Sequence, residues 1–530
     1  MPGAHSHAQH HAKPVLSRGK TALVQLSDAV GITLASRAEA FSTRPGYGRD
    51  GHPIALLANH FELQLPTGLF YHYDVEIGSL RHSGAVQPVI SKDCKRRAFQ
   101  LLVRQHKHHL NGNLPVFDGQ KNFPFLPCIE VGTKKTFIPW EVCVVLDGQH
   151  CRQKLDENQT ATVVKKAAVL PAERFQNIQG AVQDCINNNK KYLDHFGIRI
   201  STNPVKVQAR VLPAPDVLYK DNVPVSPRNG AWELEGKKFY RPASMTKWSV
   251  LSLCSPRFTG SDVTHPGAKE FNRPSIAAVV ASTDPFAFRY ITALRIQKQK
   301  MEVKARVEII KDMKNIVKEL LLGFYNANNQ VRPQKILFYR DGVSESQFRQ
   351  VLDHELAAIR AACMELEPKY KPGITFLTVQ KRHHTRFMPE NRRDGCGKSG
   401  NIPPGTTIDT TVTHPVDFDF FLCSHFGVQG TSRPAHYYVL WDDNEFTADA
   451  RQKLTYGLCH TYARCARSVS IPVPVYYAHH AAQRAKCYVD ACSDIYDSSG
   501  SSSCGSLPSM DFLDAAVSVQ SLTKEAMFFV

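Results

Sequence analysis

Residues 335–345 read Lys-Ile-Leu-Phe-Tyr-Arg-Asp-Gly-Val-Ser-Glu, an apolar run that stops at a charge pair and a glycine. Ile336 to Tyr339 predict a buried strand, and Asp341 then stands at its carboxyl end, where open α/β sheets gather their ligands. Asp before Gly is also ordinary turn chemistry, so the aspartate alone decides little. Its surroundings decide more. Helix-like and strand-like stretches alternate from here to about Val489, which predicts a mixed α/β sheet covered by helices on both faces. Just upstream, SIAAVVAS from Ser275 and ITALRIQ from Ile291 predict strands, and Glu302 to Phe324 predicts an amphipathic helix.

Toward the amino end the text is less regular. Residues 1–44 are His-rich, polar and aperiodic, and predict a solvated arm rather than a metal-binding tract. From Pro45, IALLANHFELQLP and LFYHYDVEIG alternate apolar and polar residues around Pro-Thr-Gly, the pattern of an antiparallel hairpin. Leu155 to Tyr192 reads as largely helical, and RISTNPVKVQARV from Arg199 returns to strand alternation.

Composition narrows the partner. Of 530 residues, 65 are Lys or Arg against 48 Asp or Glu, a formal net charge of +17. Such a surplus suits a polyanion, because each neutralised phosphate releases condensed counterions. An anionic membrane surface would suit it too. The 14 cysteines are scattered and include no C-x-x-C pair, which predicts reduced thiols in a cytosolic or nuclear setting. The start has no apolar secretory run, and no apolar stretch is long enough to span a bilayer, so no membrane partner is expected.

Three short segments carry candidate chemistry: GSDVTHP with Asp262, ILFYRDG with Asp341, and SIPVPVYYAHHAAQRAK with His479 opening a helix. Singly, these read as two turn aspartates and a helix-terminal histidine. Together, two carboxylates and an imidazole on an α/β sheet form a plausible two-metal phosphodiester site, with hard Mg²⁺ favoured by oxygen ligands. Spacing alone does not establish it.

From about Gly260 to Val530 the sequence resembles an Argonaute PIWI domain almost continuously. The resemblance rests on FYRDGVSESQF, GITFLTVQKRHHTR, GKSGNIPPGTT, DFFLCSHFGVQGTSRPAHYYVLWDDN and LCHTYARCARSVSIPVPVYYAHHAAQRAK. It implies an RNase H-like fold and, in cleaving members, an Asp-Glu-Asp-His tetrad that holds Mg²⁺ or Mn²⁺. Asp262, Asp341 and His479 match its first, third and fourth members; the adjacent His480 does not. Glu302, Glu308 and Glu319 compete for the second place, and Glu308 is the match through its Glu-Ile-Ile-x-Asp context. The resemblance further implies guide-RNA contacts at Lys381, Arg382, His425, Gln429, Arg433, Tyr462, Arg464, Arg467, Ser470, Tyr476 and Arg484. Basic residues interleaved with Tyr would otherwise read as a solvated helix face.

The front half resembles the family in pieces. The implied order is the arm at 1–44, a partial amino-terminal domain at 45–123, a PAZ remnant at 124–154 and the second linker at 155–235. A MID remnant at 236–256 and the PIWI domain at 257–530 follow. The fold expected is therefore α/β, an RNase H-like PIWI domain with a β-rich amino-terminal remnant and a helical linker. Most of PAZ would fall between Phe123 and Pro124, and the MID pocket is missing before RFTGSDVTHP. The implied function is Mg²⁺-dependent cleavage of target RNA paired to a small guide RNA, leaving 3′-hydroxyl and 5′-phosphate ends in the cytoplasm or nucleus. Glycine–tryptophan-rich silencing scaffolds are a further implied partner, and DNA is not. The alternative is a non-cleaving RNA-binding or scaffold-docking PIWI protein, or a defective truncated form.

Overall fold

In a computed structural model, residues 41–65, 156–238, 274–284, 287–297, 309–498, 510–520, 523 and 526–530 are described. Short strands are described elsewhere, including Val263–Thr264. Asp262, Glu302 and Glu308, the body of the PAZ and MID remnants, and the second strand of the expected amino-terminal hairpin lie outside the described residues. The chain divides into two compact units. One comprises Met1–Ala35, Leu63–Lys166 and Asp184–Ile200; the other comprises Ser36–Glu62, Ala167–Gln183 and Ser201–Val530.

In the first unit the described helical residues belong to α1 (Glu157–Ala167) and the later part of α2 (Pro171–Phe196). Asp156 opens α1 by accepting from the Gln159 amide, while Gln159 returns a bond to the Asp156 N–H, a reciprocal cap.

The second unit is built on an eight-stranded sheet. Its strands are β1 (His52–Gln64), β2 (Arg199–Val211), β6 (Lys335–Asp341), β7 (Gly373–Gln380), β8 (Phe387–Pro389), β9 (Thr406–Ile408), β10 (Asp419–Cys423) and β11 (Ala435–Asp442). Their order across the sheet is β6-β7-β11-β10-β9-β2-β1-β8. β6 and β7 are parallel, with Asp341 opposite Val379; the pairs β7–β11 and β11–β10 are antiparallel. A strand buried on both faces needs an unbroken apolar or small-polar run. Ile374 to Val379 in β7 and Phe420 to Cys423 in β10 are such runs, buried at every residue.

A separate three-stranded sheet places β3 (Val263–Thr264) beside β4 (Ser275–Ser282), and β4 beside β5 (Tyr290–Gln297), all antiparallel. Alternation in β4 and β5 feeds two cores. Ala277, Val279, Ile291 and Ala293 join a cluster with Ile316, Leu320, Phe348 and Phe376. Their neighbours Ile276, Ala278, Tyr290 and Leu294 face Tyr477, Ala481, Ala485 and Val489. Successive side chains of a strand point to opposite faces, so one short hairpin is packed by a helix on each side.

Those helices are α3 (Met313–Ala327) and, after α4 (Ala357–Leu366) and α5 (Ala448–Leu458), the long α6 (Val473–Ser498); α7 (Met510–Val517) packs beside α6 through Leu513 and Val517. In α3, Met313, Ile316, Val317 and Leu320 form the buried i, i+3, i+4, i+7 stripe. The helix described starts at Met313, so the helix predicted from Glu302 to Phe324 does not run unbroken. Ile309 and Ile310 are not helical, and the Ile310 N–H donates to the Glu355 carboxylate at 3.0 Å instead of entering a helical ladder. No cysteine among the described residues is in a disulfide. Among the same residues, no helix is long and apolar enough to cross a membrane.

Candidate active site and basic track

β6 delivers Asp341 to the sheet's edge, and Gly342 turns the chain away at φ +82°, a conformation that side chains rarely adopt. The Gly342 N–H donates to Asp341 Oδ1 at 2.7 Å, which orients the carboxylate. His479 arrives from α6. That helix opens on Val473-Pro474, where proline's missing N–H costs no intrahelical bond. His479 Nε2 lies 3.0 Å from Asp341 Oδ2, with both side chains mostly buried. A carboxylate only accepts, so Nε2 carries the proton in this contact.

The Asp341 carboxylate at the end of a strand is an oxygen donor suited to a hard divalent cation, and the imidazole beside it holds that carboxylate in place. Among the described residues, no group of three His, Cys, Asp or Glu side chains converges. The remaining two expected donors, Asp262 and Glu308, lie outside the described residues. Asp341 and His479 are thus the described half of the expected set, and they fit.

Beside this pair lies Lys381, just past the end of β7. Its ammonium donates to the Ser470 hydroxyl. Burial lowers its pKa, Asp341 opposes that shift, and Arg433 adds to it. His425 is held neutral: burial pushes its imidazole down to about 4, with Lys381 contributing.

The aromatic members form one cluster. The Tyr462 hydroxyl is 2.8 Å from His480 Nε2, its ring lies nearly parallel to that imidazole, and the Tyr476 ring is 5.0 Å away. Burial, with Arg464 and His479 nearby, pushes His480 down to about 4. His480 is therefore packed into this cluster, while His479 faces the carboxylate. Arg382, Arg464 and Arg467 are exposed. Arg484, also exposed, donates from Nε to the Tyr488 hydroxyl at 2.6 Å and lies over the Phe528 ring.

Gln429 and Arg433 line a cavity of about 380 Å³ with two arginines that the sequence reading did not single out, Arg174 and Arg386. None of its lining residues is acidic. Arg174 Nε donates to Thr431 Oγ1 at 2.9 Å, and Arg386 Nη1 donates to the carbonyls of His383 and Thr385. Burial and the charges of Arg433 and Arg174 bring Arg386 down to about 10. Three guanidiniums crowded without a carboxylate in the lining make a concave site for an anion. Arg174 sits on α2, more than 200 residues before the others, so no local sequence pattern pointed to it.

A mixed α/β domain with an Asp–His pair at the end of a strand and a basic track beside it is of the RNase H-like, PIWI type. Residues 227–490 match the Piwi domain, residues 173–219 the Argonaute linker 2 domain, and residues 52–123 the N-terminal domain of argonaute. The chain belongs to the Argonaute family. Among solved structures it is similar to a Kluyveromyces polysporus Argonaute with a guide RNA, at 19% identity and a TM-score of 0.60 over 82% of this chain and 64% of that one. It is also similar to Drosophila Piwi, at 14% identity and a TM-score of 0.52, over 82% of this chain and 97% of that one. The C-terminal lobe of a budding yeast Argonaute is 30% identical, with a TM-score of 0.45, over 51% of this chain and 53% of that one. The chain thus spans 64% and 53% of the two yeast chains.

Proposed function

We propose that this chain holds a small guide RNA and cuts target RNA paired to it, leaving 3′-hydroxyl and 5′-phosphate ends. The observation that carries the reading is the 3.0 Å contact between His479 and Asp341 at the end of β6. Asp341 and His479, with Asp262 and Glu308, are the residues that would hold Mg²⁺ or Mn²⁺. When bound, such an ion supplies an acidified water and neutralises charge on the scissile phosphate. Lys381 and Arg433 would fix the RNA backbone, and Arg174 and Arg386 would extend that basic surface. Phosphate contacts position a backbone without reading bases, which suits a protein whose specificity comes from pairing to a guide. The compartment would be the cytoplasm or nucleus, and glycine–tryptophan-rich scaffolds are proposed as protein partners.

A second reading is an RNA-holding protein that does not cut. It is favoured by the breaks in the family resemblance at Phe123–Pro124 and before Gly260. One experiment separates the two. The purified full chain is loaded with a guide and given a labelled complementary RNA in Mg²⁺, beside the Asp341→Asn variant. Cutting by the parent and not by the variant supports the first reading. Equal RNA binding with no cutting by either supports the second.

A further inference from the structure

We propose that Glu355 is a positioning residue for the candidate metal site, locking the strand end that carries Asp341 against the segment that leads into α3. The inference rests on the reading of Asp341 as a metal-holding group. Arg340, next to Asp341 in β6, is buried, and its Nε donates to both Glu355 carboxylate oxygens at 3.3 and 3.1 Å. Arg340 Nη1 also donates to the Asp341 carbonyl at 2.6 Å, closing the strand end against the guanidinium. The same Glu355 Oε1 accepts the Ile310 N–H at 3.0 Å. Ile310 is two residues beyond Glu308, the candidate carboxylate leading into α3. One fully buried side chain thus holds the exit of the Asp341 strand and Ile310, just before α3.

Glu355 reaches this position because the helix carrying it opens into a wider, π-type turn over Leu352–Leu356 before α4 resumes the ordinary pitch. Such single wide turns cost hydrogen-bond geometry and are frequent at functional sites. A buried ion pair adds little net stability compared with apolar packing, and its better use is to select one arrangement of the groups around it. Groups that orient metal-holding side chains from behind typically change metal affinity by about 10–100-fold when removed.

The test is the full chain in which Arg340→Met and Glu355→Met replace the ion pair by apolar side chains, with bound Mn²⁺ read by electron paramagnetic resonance. The quantity followed is the Mn²⁺ binding that Asp341→Ala abolishes, which sets aside any ion held by the His-rich arm. The expected result is half-saturation raised about tenfold or more, with guide-RNA affinity kept and a cooperative melt retained, its midpoint lowered at most by the loss of the Ile310 N–H partner. If the double variant does not fold, Glu355→Asp takes its place: it keeps the charge, shortens the reach by one methylene, and is expected to weaken Mn²⁺ in the same direction. Parent-like Mn²⁺ affinity in a folded variant overturns the assignment and leaves the metal site standing. Mn²⁺ binding by the parent that does not respond to Asp341→Ala overturns both the metal site and the assignment built on it.

Discussion

His479 Nε2 stands 3.0 Å from Asp341 Oδ2 although 138 residues of chain separate them. Two independent packings make that contact. Parallel pairing with β7 fixes the end of β6, and the Tyr477–Ala481–Ala485 face of α6 seats the helix on β4 and β5. The pair is held from both sides, as a preorganised reaction centre requires.

His479→Ala is expected to lower the single-turnover cleavage rate at least about a hundredfold, the loss that a misplacement near 1 Å can cause. Affinity for guide RNA should stay within about twofold, because the imidazole faces Asp341 and not the basic cavity. Quench-flow cleavage with preloaded guide and filter binding measure the two quantities. A parent-like rate would remove His479 from the site.

The arginine cavity makes a separate prediction. Arg386→Gln should weaken RNA binding equally for unrelated sequences and reduce the slope of log affinity against log salt by about 0.7–0.9. Arg174→Gln should do the same. Titrations at several salt concentrations check this, and an unchanged slope in both variants would mean the cavity does not meet the backbone.

Burial pushes His383, His425 and His480 each down to about 4. Their folded pKa values lie below the unfolded value near 6.5, so between these limits the unfolded chain binds more protons. Stability is then expected to be complete above about pH 6.5 and to fall as pH drops toward 4, with protons taken up on unfolding by these histidines and by His60 and His460, whose pKa burial also lowers. Urea midpoints at a series of pH values measure it. His425→Gln should flatten the slope, and an unchanged slope would show that His425 is not buried neutral.

Arg44 is 6% exposed and donates to the Asp419 carboxylate at 2.9 Å, as well as to the carbonyls of Asp409, His414 and Asp419. The same Asp419 takes His436 Nε2 at 2.7 Å. Removing Arg44 takes the guanidinium from a buried carboxylate that keeps His436 and the His414 N–H, and leaves three carbonyls without this donor, so Arg44→Ala is expected to cost about 2–4 kcal/mol. The urea midpoint and trypsin sensitivity report it, and a loss below about 1 kcal/mol would mean water replaces the guanidinium.

The α/β order after Ser275 was legible because apolar runs, amphipathic stripes and turn residues are local. Ile316, Val317 and Leu320 announce a helix whatever they pack against. The start of α3 was not legible. Glu302 to Asp312 carries residues compatible with a helix, yet Ile310 spends its N–H on Glu355, a side chain 45 residues away. The candidate site was half legible in the same sense. Asp341 and His479 sit in distinctive local text, whereas Arg174 and Arg386 look like any surface arginines until α2 and the segment after β7 meet.

By itself the sequence determined the family, the strand that ends in Asp341 and a cationic surplus suited to RNA; it set His479 at the opening of a helix, whereas α6 begins at Val473 and carries His479 inside it. These follow from residue type and short-range spacing, which the chain carries before it folds. The resemblance already favoured His479 over His480; tertiary structure supplied the contact itself, setting His479 against Asp341 and packing His480 against Tyr462. Tertiary structure alone gathered three arginines around one cavity and placed Glu355 between Arg340 and Ile310. Those outcomes depend on contacts between residues tens to hundreds of positions apart. Burial and charge there are set by what the fold brings together, and not by the neighbouring letters.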